Sequence, residues 1–211
     1  MGDISFRDEL RRKAVHLSSL WMPVVMVVFA PYRWYLAAFF GILAAASVLV
    51  EHAYAKGNLR VRRAYDVFFG GMLRTEPRPS DWVISGGPPV LAAACMVLLC
   101  FPPELAASAM ALMLLGDTAA ALVGRRWGRT RFANGKSLEG VIAFILVGAI
   151  GFAVFLSFRG IPLSRLVLVS LAAAAVGALA EFFEKKIRID DNFGIPLFSG
   201  WAAVLLLRIL G

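Results

Sequence analysis

Stretches of about twenty mostly apolar residues recur along this chain, joined by short polar links, and no other feature restricts its fold as strongly. A helix needs about 20 such residues to cross a hydrocarbon layer roughly 30 Å thick. Seven stretches qualify as candidates: 14–31, 34–51, 82–101, 104–123, 138–158, 162–181 and 195–210. The last is short, but it spans if it stands upright or the bilayer thins. With 60% hydrophobic and 17% charged residues and a mean hydropathy of +0.75, the chain lies outside the range of soluble domains. Links such as "APYR" and "FPPE" leave no room for a second unit. The expectation is one all-α polytopic membrane domain over residues 1–211, with about seven transmembrane helices.

The net charge of +8 is unevenly spread. With the N-terminus inside and seven spans, segments 1–13, 52–81, 124–137 and 182–194 hold 4, 6, 5 and 3 Lys/Arg, or 18 of the 22. Only Arg33, Arg159, Arg165 and Arg208 fall on the other side. This bias predicts a cytoplasmic N-terminus, a cell-membrane location and attraction to anionic lipid heads, and nucleic acid is not needed to explain it. The first apolar run lacks a small-residue cleavage site, so it reads as a span rather than a removable leader. Phe6, Leu10 and Leu17 recur at helical spacing, and residues 4–13 read either as an interfacial helix or as a solvated tail. Leu59, Val61, Tyr65, Phe68 and Phe69 suggest a second interfacial helix, broken by Gly70 and Gly71 before Pro77 and Pro79. Cys95 and Cys100, five residues apart on one helix, cannot pair with each other.

Within the fourth run, Gly116, Ala120 and Gly124 form a small-residue stripe that lets another helix approach closely. Packing does not account for Asp117, roughly 10 Å below the end of that run at 1.5 Å per residue. An aspartate there costs on the order of 3 kcal/mol, and such residues mark functions or pathways. The loop that follows, "GRRWGRTRFANGKS", carries Arg125, Arg126, Arg129, Arg131 and Lys136, more cations than a topology anchor needs. Gly124, Gly128 and Gly135 permit close backbone approach to a ligand. Lys136 and Ser137 open the fifth run, where a helix N-terminus favours phosphate. Glu139 either caps that helix or holds a metal. The "NGKS" run is not a P-loop, because Thr130 stands where that pattern needs glycine and no strand precedes it.

A second acidic set is "EFFEKKIRIDDNFGIP". Glu181–Lys185 and Glu184–Arg188 have the i,i+4 spacing of salt-bridged helix pairs. Asp190, Asp191 and Asn192 offer oxygen ligands suited to Mg²⁺, which takes one or two carboxylates plus phosphate oxygens and water. His52 reads as an interfacial hydrogen-bonding residue, and His16, beside Lys13, as that or a catalytic group. The depth of Asp117 suits an acceptor that stays in the membrane: a lipid alcohol whose hydroxyl the carboxylate orients or deprotonates. Phosphoryl transfer from a metal–nucleoside triphosphate above it asks mainly for positioning and charge neutralisation.

"GDTAAALVGRRWGR" followed by "GKSLEG", then "E…DDNFGIPLFSG", closely resembles the CTP-dependent lipid kinases that act on dolichol, phytol or diacylglycerol. The similarity extends to "RRKAVH", to Glu51 and to "LRTE" at positions 73–76. It implies CTP as donor, Mg²⁺ as cofactor and a membrane lipid alcohol as acceptor. It also implies that Asp117 and Gly124 act in the catalytic motif with Arg12, Lys13 and His16. Gly116, Thr118, Arg125, Arg126, Gly128, Arg129, Gly135, Lys136 and Ser137 then line the nucleotide. Asp190, Asp191 and Asn192, with Asp117, Glu139 and Glu181, belong to the metal site. A homodimer stays open.

The Gly-Asp and Lys-Ser-x-Glu-Gly elements also resemble phosphatidate cytidylyltransferases, which make a CDP-lipid. A transporter with Asp117 and Glu181 on an ion path is a third reading, and it predicts acids along the whole bundle depth. Here the acids cluster at one end.

Overall fold

The computed structural model describes residues 6–69, 77–187 and 189–211. Among these the regular structure is helical: α1 Phe6–Ser18, α2 Trp21–Val28, α3 Arg33–Ala55, α4 Leu59–Phe69, α5 Gly87–Cys100, α6 Pro103–Trp127, α7 Leu138–Leu156, α8 Leu163–Ile187 and α9 Asp191–Ile209. A lone antiparallel bridge joins Arg131 to Ser137 within the α6–α7 loop.

Five segments are long and apolar enough to cross a membrane: Ala30–Ala55, Pro103–Trp127, Leu138–Arg159, Leu163–Glu184 and Asp191–Ile209. Two of the seven expected spans differ, and proline is the reason in both. Run 14–31 is not one helix. Pro23 has no N–H for the Ser19 carbonyl, which instead accepts from Met22 N–H at 2.9 Å in a tighter turn, so α1 and α2 meet at a bend. Run 82–101 shortens to the 14-residue α5, because Pro88 and Pro89 fit a helix only in its first turn. The final span gains length instead: Asp190 caps α9, which begins at Asp191 rather than 195.

α6 is the hub. Its residues from Leu105 to Leu114 are all buried, and it touches α1, α2, α5, α7, α8 and α9. Its closest partner is α7, and the small-residue stripe explains why. A Cβ on Gly140 would lie 2.9 Å from the Ala120 carbonyl oxygen, one on Gly124 2.9 Å from Ser137 Oγ, and one on Gly116 3.1 Å from the Phe144 ring. α3 and α5 run antiparallel and are tied at both ends, by Arg33 Nη2 to the Leu99 carbonyl at 3.1 Å and by Ile84 N–H to Glu51 Oε2 at 2.7 Å.

α4 forms where the sequence suggests an interfacial helix, but Tyr65 turns inward and is buried while Leu59 and Val67 face outward. The expected break at Gly70–Gly71, the "LRTE" match at 73–76 and Arg188 lie outside the described residues. Both cysteines are free thiols.

Candidate active site

The side chain of Asp117 meets α1, not the basic loop that follows it in sequence. Lys13 Nζ donates to Asp117 Oδ2 at 2.5 Å, and His16 Nε2 stands 3.4 Å from the same oxygen without hydrogen-bond alignment. Lys13 is 5% exposed and Asp117 17%. Their mutual attraction is what makes either charge tolerable so far from water.

These groups open onto a cavity of about 200 Å³. Its charged side carries Arg12, Lys13, His16 and Asp117, joined by Asp191 and Asn192 from the start of α9. The same cavity is lined by residues that the motif reading did not assign to the site: Tyr65, Ser85, Gly86, Gly87 and Val90. Glu51, 3% exposed, braces this part of the lining. Its Oε2 accepts from Ile84 N–H at 2.7 Å and Ser85 N–H at 3.2 Å; its Oε1 accepts from Tyr65 hydroxyl at 3.2 Å and from Ser85 Oγ. Burial, together with the nearby Glu51 charge, raises the Tyr65 phenol to about 12. The run "SGGPP", a glycine pair ahead of a proline-started helix, was the available signal for this wall. His52 hydrogen-bonds the Asp81 carbonyl at 3.1 Å and stacks on Trp82, so it serves the same segment.

The α6–α7 loop is placed differently. Lys136 Nζ bonds the Glu181 carbonyl and lies 3.0 Å from Glu181 Oε1 and 3.5 Å from Glu184 Oε2, pinning the loop to the end of α8. Asn134 adds a bond to the Phe182 carbonyl at 3.0 Å. Both glutamates therefore answer a cation 45 or more residues away. Ser137 is buried and caps α7 by accepting from Gly140 N–H at 3.1 Å. Gly128 packs against Ser137 and the Gly124 carbonyl, Gly135 has φ +86° in the turn, and Thr118 Oγ1 bonds back to the Leu114 carbonyl. Arg125, Arg126 and Arg129 are exposed; Arg131 reaches the Gly135 and Gly124 carbonyls. Glu139 accepts from Thr130 N–H at 3.1 Å.

Among the described residues no three His, Cys, Asp or Glu side chains gather as a metal cage. Asp190 caps α9, accepting from Asn192 N–H at 3.0 Å, and Glu139 and Glu181 serve the loop. Asp117, Asp191 and Asn192 on one cavity fit an ion that leans on one or two carboxylates and completes its shell with water and phosphate oxygens.

No family model matches the chain, and no solved structure does. Among curated proteins it is 38% identical over 102 residues to a phytol kinase of Synechocystis, covering 45% of this chain and 42% of that one. It is 29% identical over 158 residues to CTP-dependent diacylglycerol kinase 1 of Schizosaccharomyces pombe, covering 69% of each. An uncharacterised protein of Rickettsia prowazekii matches at 27% identity over 91% of both chains. The relatives that carry names support a lipid kinase family for this all-helical, membrane-type chain.

Proposed function

We propose that this protein phosphorylates the hydroxyl of a membrane lipid alcohol (a polyprenol or dolichol, phytol or diacylglycerol) at the expense of a nucleoside triphosphate, CTP by its similarity to the diacylglycerol kinase. One observation carries the reading: a buried Lys13–Asp117 pair, with Arg12, His16 and Asp191, faces a single cavity partway down the apolar bundle. Arg12 and Lys13 supply fixed positive charge where phosphate oxygens arrive, and that charge needs no reorganisation during transfer. Asp117 sits deep enough to orient an acceptor hydroxyl whose chain remains in lipid. Asp191 and Asn192, with Asp117, would hold Mg²⁺, which when bound offsets the charge of the phosphate oxygens. His16 keeps a nitrogen beside Asp117 for hydrogen bonding to the reacting groups. The 18-to-4 charge bias supports a cytoplasmic N-terminus, with α1–α2 as a bent first span and α5 as a short third one; in that orientation the cavity mouth would face the cytosolic nucleotide.

The deciding experiment incubates the purified protein with γ-labelled CTP, ATP and GTP and a panel of lipid alcohols. The expected products are a labelled lipid phosphate and the nucleoside diphosphate. Release of pyrophosphate with a CDP-lipid would instead make it a cytidylyltransferase, and no product from any alcohol would reject the kinase reading.

A further inference from the structure

α5 is short, and its length is informative. Its 14 residues rise about 21 Å, against roughly 30 Å of hydrocarbon. Only Phe101 and Pro102 separate it from α6, which returns antiparallel beside it. Asp117 lies fourteen positions along α6 from Pro103, again about 21 Å. The start of α5 and Asp117 therefore come level, and the missing turns of α5 leave the space that is the cavity.

At that level residues 85–87 form a wall with unusual economy. Gly86 has φ −81° and ψ −4°, a conformation open to any residue, and a Cβ there would meet nothing within 4 Å. What its lack of a side chain provides is room. Glu51 stands behind this wall, and both its oxygens are occupied by Ile84, Ser85 and Tyr65. The wall thus offers hydroxyls and backbone, with no charged side chain of its own, to the same cavity that Lys13, Asp117 and Asp191 line. A triphosphate belongs with the charged groups. A hydroxyl-bearing head that never leaves the apolar layer belongs with the uncharged wall.

We infer that residues 85–87, braced by Glu51, form the subsite for the headgroup of the lipid alcohol, and that the open space over Gly86 sets how bulky a headgroup enters. This rests on the lipid kinase reading. Glu51 is a positioning residue, acting through Ser85 and Tyr65.

The test uses the full chain in lipid nanodiscs with the best nucleotide and two acceptors: the preferred alcohol, and the same lipid branched at the carbon bearing the hydroxyl. Gly86→Val should raise KM for the branched acceptor at least tenfold and for the unbranched one less than threefold, leaving the nucleotide KM within twofold. Should Gly86→Val not fold, Gly86→Ala must show the same ranking at about threefold. Glu51→Ala should raise both acceptor KM values while nucleotide KM holds, and Glu51→Gln, which keeps an acceptor for the backbone N–H groups, should restore most of the loss. Unchanged acceptor KM values in an active Gly86→Val, or a change confined to the nucleotide KM, overturn the subsite alone. A parent protein that phosphorylates no alcohol overturns the kinase reading and this inference with it.

Discussion

Lys13 Nζ donates to Asp117 Oδ2 across 104 residues of chain, forming an ion pair whose members are 5% and 17% exposed. Before the partner is known, Asp117 reads as an isolated cost to insertion. In the fold it is half of a pair, and removing either half strands the other charge.

Asp117→Asn should therefore lower kcat by at least about 10³, a barrier increase of about 4 kcal/mol, and also destabilise the protein by about 3 kcal/mol. Replacing both partners, as Lys13→Met with Asp117→Leu, should recover most of the stability and none of the activity. Thermal unfolding in micelles beside single-turnover kinetics checks both parts. Near-parental turnover in Asp117→Asn would remove it from the chemistry.

Lys136 holds Glu181 and Glu184 at the end of α8. Lys136→Ala should cost about 2 kcal/mol by leaving Glu181 buried without its cation, and Lys136→Met with Glu181→Gln should regain most of it. Calorimetry with nucleoside tri- and diphosphate decides the other role. If the single substitution weakens triphosphate binding selectively and keeps full stability, Lys136 leaves Glu181 for the terminal phosphate.

Asp190 and Asp191 are neighbours with different surroundings. Asp190 caps α9, whereas Asp191 lines the cavity. Asp190→Ala should cost about 1 kcal/mol of stability with an unchanged Mg²⁺ requirement. Asp191→Ala should raise the Mg²⁺ concentration for half-maximal activity about tenfold, since such a site leans on few carboxylates. Magnesium titrations of the two variants give the comparison, and equal shifts would reject the division of roles.

Gly140 faces the Ala120 carbonyl at van der Waals limits. Gly140→Leu should prevent α6–α7 packing and yield aggregated protein, whereas loss of nucleotide affinity alone would argue against a packing role. Size-exclusion profiles in detergent distinguish the two.

Much of the helix plan was legible because apolar runs of membrane length have few alternatives: 34–51 and 104–123 fall inside α3 and α6, and 138–158 and 162–181 overrun α7 and α8 by only two residues and one. Two misjudged ends were legible too, since Pro23 and the Pro88–Pro89 pair announce a break and a helix start. Asp117 stood out because a carboxylate in an apolar run is costly unless a function or a buried partner holds it there. Ser137 did not sort itself, because a Lys-Ser pair at a helix start looks the same whether the hydroxyl caps its own helix or meets a phosphate. Which cation answers Asp117 was invisible in the residue order: the nearby Arg125 and Arg126 sit at the exposed end of the same helix, about two turns on. Lys13 reaches it only because α1 folds over α6. Likewise the wall at 85–87 exists because α5 stops short beside Asp117 and Glu51 collects the chain ahead of it. Local composition decides where a helix can lie in the bilayer; packing decides which side chains share a cavity.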